Sequence, residues 1–293
     1  MQKISQIKFF ALYAIICLIW GSTWLVIHLG NAAALPPFSA ASLRFVIAAF
    51  LLWIYIFWKK IALPATDSKW TSAIIVGLLS NGLSFGIVYF TSGYVPSGLA
   101  SVVFGTMPLW TAVFAHYGLP TERLSRTKIY GIGIGILGIV IIFLPQFALI
   151  KSETAWALPV LLFAPIVSGM SAVITKKSTQ EIPAITLNAI TTSVGAITLG
   201  LMALLTEKVF GIELSFGQLA PTLYLAIFGT IITFGIYFKL MKTTSAVTMS
   251  YVAIITPAIA VLLGWMILGE KLDGYEVVGT LFVLCGVAIS LRM

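Results

Sequence analysis

Few residues in this chain could do acid–base, nucleophilic or metal chemistry, and their positions argue against it. The nine carboxylates are Asp67, Glu122, Glu153, Glu181, Glu207, Glu213, Glu270, Asp273 and Glu276, and each falls in a loop or at the end of an apolar run. The two histidines, His28 and His116, stand near the ends of apolar runs and read as interfacial polar residues. No HExxH, paired carboxylates or Ser-His-Asp set occurs, so an integral membrane enzyme is a poor reading. Cys17 and Cys285 lie inside separate apolar runs and read as small buried apolar residues, with no disulfide or metal knuckle. No cofactor and no metal are expected. Arg44 is the one basic residue inside an apolar run, about 9 Å from its outer end at 1.5 Å per residue. A snorkelling or structurally bonded arginine and a clamp on a substrate carboxylate both remain open for it.

What remains is a layer of hydroxyls, one amide, prolines and aromatics at the centres of the apolar runs. Ser22, Thr23, Asn81, Thr106, Pro108, Ser168, Ser171, Thr230, Thr256 and Pro257 sit near mid-run. Trp20, Trp24, Phe85, Tyr89, Trp110, Tyr237 and Tyr251 lie where a cavity could use them. Such a lining suits a neutral or zwitterionic organic solute. The expected substrate-binding set is Trp20, Ser22, Trp24, Asn81, Phe85, Tyr89, Thr106, Pro108, Ser168, Ser171, Thr230, Tyr237, Tyr251, Thr256 and Pro257. Each proline removes a backbone donor and frees a carbonyl one turn back, which lines a cavity or makes a hinge.

The elements that carry these residues are membrane spans. Sixty per cent of the 293 residues are hydrophobic and 9% are charged, against about 25% charged in soluble domains. Runs of spanning length fall at about 10–29, 38–58, 70–92, 97–117, 127–145, 155–174, 184–206, 218–240, 245–267 and 274–292. They must be helices, because a backbone in hydrocarbon satisfies its own hydrogen bonds. The first run reads as a retained span rather than a signal peptide, although Ala32-Ala33-Ala34 follows it. Gly93, Pro96 and Gly98 supply the break between the third and fourth runs.

Orientation follows from Lys and Arg. With a cytoplasmic N-terminus, the inner segments hold Lys3, Lys8, Lys59, Lys60, Lys69, Arg123, Arg126, Lys128, Lys176, Lys177, Lys239, Lys242 and Arg292. The outer side holds only Lys151, Lys208 and Lys271. That asymmetry predicts that both termini are cytoplasmic, and the expected location is the cell inner membrane. The formal charge of +8 therefore reports topology, and no nucleic-acid partner is expected.

The chain also reads as written twice. Pro108, Glu122, Leu124, Gly131 and Gly138 are answered by Pro257, Glu270, Leu272, Gly279 and Gly286. Phe85-Gly86-Ile87 is answered by Phe234-Gly235-Ile236, and at the same offset Asn81 faces Thr230. Trp20-Gly21 falls opposite Ser168-Gly169. The halves run 1–145 (spans 1–5) and 155–292 (spans 6–10). An odd number of spans per half inserts the second copy upside down, as in secondary transporters. The expected fold is all-α and integral to the membrane, with ten transmembrane helices in two inverted five-helix repeats. Gly131, Gly135 and Gly138 form a small-residue face in the fifth span, read as intramolecular packing, with a homodimer as the lesser alternative.

These features resemble the ten-span branch of the drug/metabolite transporter superfamily, with two EamA domains. Ile19-Trp20-Gly21-Ser22-Thr23-Trp24 is similar to its opening motif. The two prolines followed by Glu122-Arg123-Leu124 and Glu270-Lys271-Leu272 are similar to its most recognisable element. The resemblance implies a central cavity enclosed by spans 1, 3, 4, 6, 8 and 9, with spans 5 and 10 at the periphery. It also implies export of a small-molecule substrate, with the lipid bilayer as the other partner. Amino acids or related amphipathic solutes lead, and a lipid-linked sugar flippase or an accessory subunit is the alternative. The chain departs from the family at Ser168-Gly169, where a Trp-Ala or Trp-Gly pair is usual, and at Leu119-Pro120-Thr121, which replaces the usual leucine-glycine before Glu122.

Overall fold

The computed structural model describes residues 5–31, 35–95, 97–145, 155–209, 216–268 and 273–291. For a few helical residues, Trp24 and His28 among them, it describes the backbone alone. Among the described residues the regular elements are all helices joined by short turns and loops, without strands. In chain order the helices are α1 (Gln6–Asn31), α2 (Pro37–Lys59), α3 (Asp67–Gly77), α4 (Phe85–Thr91), α5 (Ser97–Phe104), α6 (Met107–Gly118) and α7 (Arg126–Ile142). They continue as α8 (Ala157–Ser178), α9 (Ala184–Thr206), α10 (Phe216–Ala226), α11 (Thr233–Met241), α12 (Ala246–Ser250), α13 (Val252–Leu268) and α14 (Gly274–Leu291). Two π-helical segments, Leu78–Ser84 and Ile227–Ile232, join α3 to α4 and α10 to α11 as continuous rods.

Seven of the described helical stretches are long and apolar enough to cross a membrane. The chain is a multi-pass membrane protein. The other expected spans are shorter or broken. α7 has 17 residues, and α14 holds the apolar stretch Gly274–Ser290. The expected run 97–117 breaks at Gly105–Thr106 into α5 and α6. Pro108 accounts for the break: it cannot donate, and in an unbroken helix its ring would meet the carbonyl one turn back. It stands instead in the first turn of α6, where a missing donor costs nothing. The Thr106 hydroxyl donates to the Val103 carbonyl at 2.7 Å. The expected run 245–267 is interrupted at Tyr251, while Pro257 lies inside α13. The two equivalent prolines therefore sit differently in their helices.

The chain divides into two compact units that interleave the sequence halves. One comprises Met1–Phe90 and Ile174–Thr243; the other comprises Thr91–Val173 and Thr244–Met293.

In the first unit, α9 packs along α2, α3 and the first π segment. Small residues permit the approach. A Cβ on Gly77 would meet the Thr191 Cα at 2.8 Å, and one on Gly195 would meet the Asn81 Cβ at 2.6 Å. Phe38, Phe45 and Leu199 fill the space between α2 and α9. Trp53 Nε1 donates to Ser193 Oγ at 2.9 Å. α2 begins at a proline without a side-chain cap of its own. Glu207, at the end of α9, supplies it by accepting the amides of Phe38 and Ser39 at 2.7 and 2.8 Å. A carboxylate at a helix N-terminus satisfies orphan donors and complements the helix dipole.

In the second unit, α7 and α14 pack backbone to backbone. A Cβ on Gly138 would meet the Gly279 carbonyl at 2.6 Å, and one on Gly286 the Gly135 amide at 2.4 Å. The glycines of the fifth and tenth expected spans thus face each other within the chain. That leaves a homodimer without the α7 face. Cys17 is buried as expected, but Cys285 is exposed. Its neighbour Gly286 is the residue turned toward α7, and one step along a helix rotates a side chain by about 100°.

Candidate functional site

The expected substrate residues fall into both units, and each group is taken by itself. In the first unit the structure gathers Trp20, Ser22, Asn81, Phe85, Tyr89, Thr230 and Tyr237. The Trp20 ring lies 5.3 Å from Phe234 and 5.7 Å from Tyr237, and its Nε1 donates to the Gly229 carbonyl at 3.2 Å. Ser22 Oγ donates to the Ile19 carbonyl at 2.8 Å and lies 2.7 Å from the Tyr224 hydroxyl. Phe85 stacks on Tyr89 at 6.4 Å and meets Phe45 edge-on at 5.3 Å. The Trp24 side chain is outside the described set.

Asn81 and Thr230, equivalent by the repeat, lie within the two π segments. A π turn leaves backbone groups that the α ladder would have paired, and such turns recur at functional sites. In the second segment side chains occupy them. Thr230 Oγ1 donates five residues back to the Leu225 carbonyl at 3.0 Å, and Thr233 Oγ1 donates likewise to Phe228. Asn188 of α9 donates through Nδ2 to the carbonyls of Thr230 and Ile231 at 3.3 and 3.0 Å. Thr192 holds the Asn188 carbonyl oxygen by a 3.1 Å bond. In the first segment, Asn81 is fully buried. Its Oδ1 accepts from Ser80 at 3.1 Å, while its Nδ2 has no partner among the described residues.

In the second unit, Pro108, Ser168, Ser171, Tyr251, Thr256 and Pro257 are buried and Thr106 is half-buried. Ser168 and Ser171 lie on α8, whose Gly169 approaches α6. A Cβ there would meet the Thr111 amide nitrogen at 2.9 Å. Glu122 is 6% exposed, and its carboxylate accepts the amides of Ala246 and Val247 at the start of α12. The acidic residue of the first Glu-basic-Leu element is thus a cap on another helix, not a cavity group. Glu270, Lys271 and Leu272 lie outside the described residues. His116 accepts the Leu124 amide at 3.5 Å and takes no part in a cluster of possible metal ligands among the described residues.

Arg44 does not snorkel. It is 3% exposed, with Nη2 donating to Thr230 Oγ1 at 3.3 Å. Asn188, Tyr224 and Glu207 are the positioning residues not anticipated from sequence. An amide in the middle of an apolar run was a readable signal for Asn188, as it was for Asn81.

Helices of spanning length, charges other than Arg44 kept to their ends and a polar layer within them point to an integral membrane protein of the transporter class. The chain belongs to the EamA-like transporter family, whose model matches twice, over residues 8–144 and 155–292. It is 32% identical to the uncharacterized inner membrane transporter YedA of Escherichia coli (strain K12), over 91% of this chain and 84% of that protein. It is 27% identical to the uncharacterized transporter YoaV of Bacillus subtilis (strain 168), over 94% of each. A solved crystal structure superposes with a TM-score of 0.81 over 96% of both chains at 18% identity, which shows a shared fold. The family's members are transporters and not enzymes, and so is this chain.

Proposed function

We propose that this transporter exports small organic metabolites, amino acids or related amphipathic solutes, by alternating access, as a secondary-active or facilitative carrier of the cell inner membrane. Ten spans in two inverted five-helix repeats, 1–145 and 155–292, would supply two nearly equivalent end states. Both termini would lie in the cytoplasm. The candidate substrate residues are Trp20, Ser22, Trp24, Asn81, Phe85, Tyr89, Thr230 and Tyr237 in the first unit and, taken separately, Thr106, Pro108, Ser168, Ser171, Tyr251, Thr256 and Pro257 in the second. The observation that carries this reading is the pair of π segments around Asn81 and Thr230. Wider helix occurs at the same point of both sequence halves, which supports a site made twice and used in two orientations.

The test is counterflow in proteoliposomes, with unlabelled amino acids, nucleosides and cationic drugs preloaded and labelled uptake followed. Exchange of one class, lost on Trp20→Ala in folded protein, is the expected result. Silence across the panel from folded, inserted protein would overturn it and point to a lipid-linked substrate.

A further inference from the structure

Among the described residues, Arg44 is a cation without an anion. Its guanidinium carbon sits 4.9 Å from the Phe45 ring centroid and 5.2 Å from that of Phe85. Its one hydrogen-bond partner among the described residues is the neutral Thr230 hydroxyl. Its Nε is buried and, among the described residues, unpartnered. The one ion pair among the described residues, Lys69 with Glu181, is elsewhere and partly exposed. Two aromatic faces offset part of the cost of burying the charge. A buried guanidinium with a free donor still calls for an acceptor.

A second orphan lies in the same unit. Among the described residues, Asn81 Nδ2 is buried without a partner. Phe85, which flanks Arg44, follows Asn81 by about one helical turn in the same rod. Gly195 touches both neighbourhoods: a Cβ there would meet the Asn81 Cβ at 2.6 Å and the Phe45 ring at 3.1 Å. Two buried donors, one cationic, therefore lie within one unit, linked through Gly195 and Phe45 and through the rod that carries Asn81 and Phe85.

We infer that Arg44 and Asn81 form a binding site for a compact anion, with Arg44 Nε and Asn81 Nδ2 as its donors. A carboxylate fits both donors, since its two oxygens accept from separate directions and charge-assisted bonds to Arg are the strong ones. Thr230 holds the guanidinium in place. As a statement of substrate class, a solute bearing a carboxylate, it rests on the transport reading above. As a statement about binding it stands alone. The anion has two sources, the carboxylate of a solute or a free inorganic ion such as chloride.

The experiment is thermal unfolding of the full chain in nanodiscs, titrated with acetate, with chloride and with the neutral isostere acetamide, ionic strength being held by a bulky sulfonate. Acetate should raise Tm saturably and acetamide should not. Arg44→Gln should abolish the response, and Asn81→Leu should weaken apparent affinity about tenfold. If both donors serve one anion, Asn81→Asp supplies a carboxylate from within the site, so it should raise Tm and remove the response to acetate. A response to acetate alone assigns the site to a carboxylate-bearing solute, and an equal response to chloride assigns it to a free anion. Equal responses to acetate and acetamide, no response from folded wild-type protein, or a response that survives Arg44→Gln would overturn the site. If Arg44→Gln does not fold, the wild-type contrast and Asn81→Asp still decide. Counterflow without an acetate response would defeat the anion site and leave transport standing; an acetate response without counterflow would do the reverse.

Discussion

Both carboxylate oxygens of Glu122 accept the amide of Ala246, at 3.0 and 2.9 Å, across a separation of 124 residues. The second oxygen also takes the Val247 amide at 3.4 Å. The bond ties the loop after α6 to the start of α12. Glu122→Ala should lower stability by about 1–3 kcal/mol, because buried amides at a helix N-terminus lose a charged acceptor. Thermal unfolding in detergent reads this. A variant as stable as wild type would mean that water replaces the cap at no cost.

The glycines between α7 and α14 make a sharper test. Gly138→Ala and Gly286→Ala each place a methyl within 2.6 Å of backbone and should cost about 2 kcal/mol or more, since the rods must separate. Gly133, with nothing within 4 Å of its built Cβ, is the control. There alanine should be neutral or stabilising by up to about 1 kcal/mol. Equal effects at Gly133 and Gly138 would count against the tight α7–α14 contact.

Asn188→Leu should destabilise by about 2–3 kcal/mol. It strips the donor from two carbonyls of the second π segment and the acceptor from Thr192. Hydrogen exchange should then quicken across Ile227–Ile232 before other parts of α10 and α11. Uniform loss of protection, or none, would argue that the segment does not depend on α9.

Glu181 and Lys69 give a pH signature. The Lys69 hydrogen bond, then its charge, hold the Glu181 carboxyl below its ordinary value of 4.5. A depressed folded-state value contributes stability above about pH 4.5, and that contribution is lost as pH falls through the folded value. Glu181→Gln should therefore differ from wild type at neutral pH, in the destabilised direction, and converge with it in acid. The effect should shrink in high salt, because the pair is largely exposed. A mutant gap that persists at pH 3 would assign Glu181 another role.

Much of this architecture was legible as runs of apolar residues, and the reason is the solvent: a membrane span must be long and nearly uncharged. The glycines of α7 and α14 were legible too, since small residues at helical spacing have one main use in a bilayer. The π segments were not. They need a partner to occupy the unpaired carbonyls, and Asn188 lies far along the chain from Thr230. The break at Gly105–Thr106 could have been read from Pro108, had its ring been weighed against the preceding turn rather than as a hinge within one span. Arg44 remained open because burial of a guanidinium depends on two rings, Phe45 and Phe85, that only tertiary packing brings to it.

The interleaving of the two units bears on how the molecule is made. α2 carries Arg44 into the bilayer long before the ribosome has produced α9, Thr230 or the Glu207 cap. A nascent first half must wait, with a charge in hydrocarbon, for helices that belong to the second half. Assembly is therefore a late, long-range event rather than two successive local ones. A chain cut between residues 145 and 155 would yield two pieces, neither of which contains a whole unit, and only their joint synthesis should restore them.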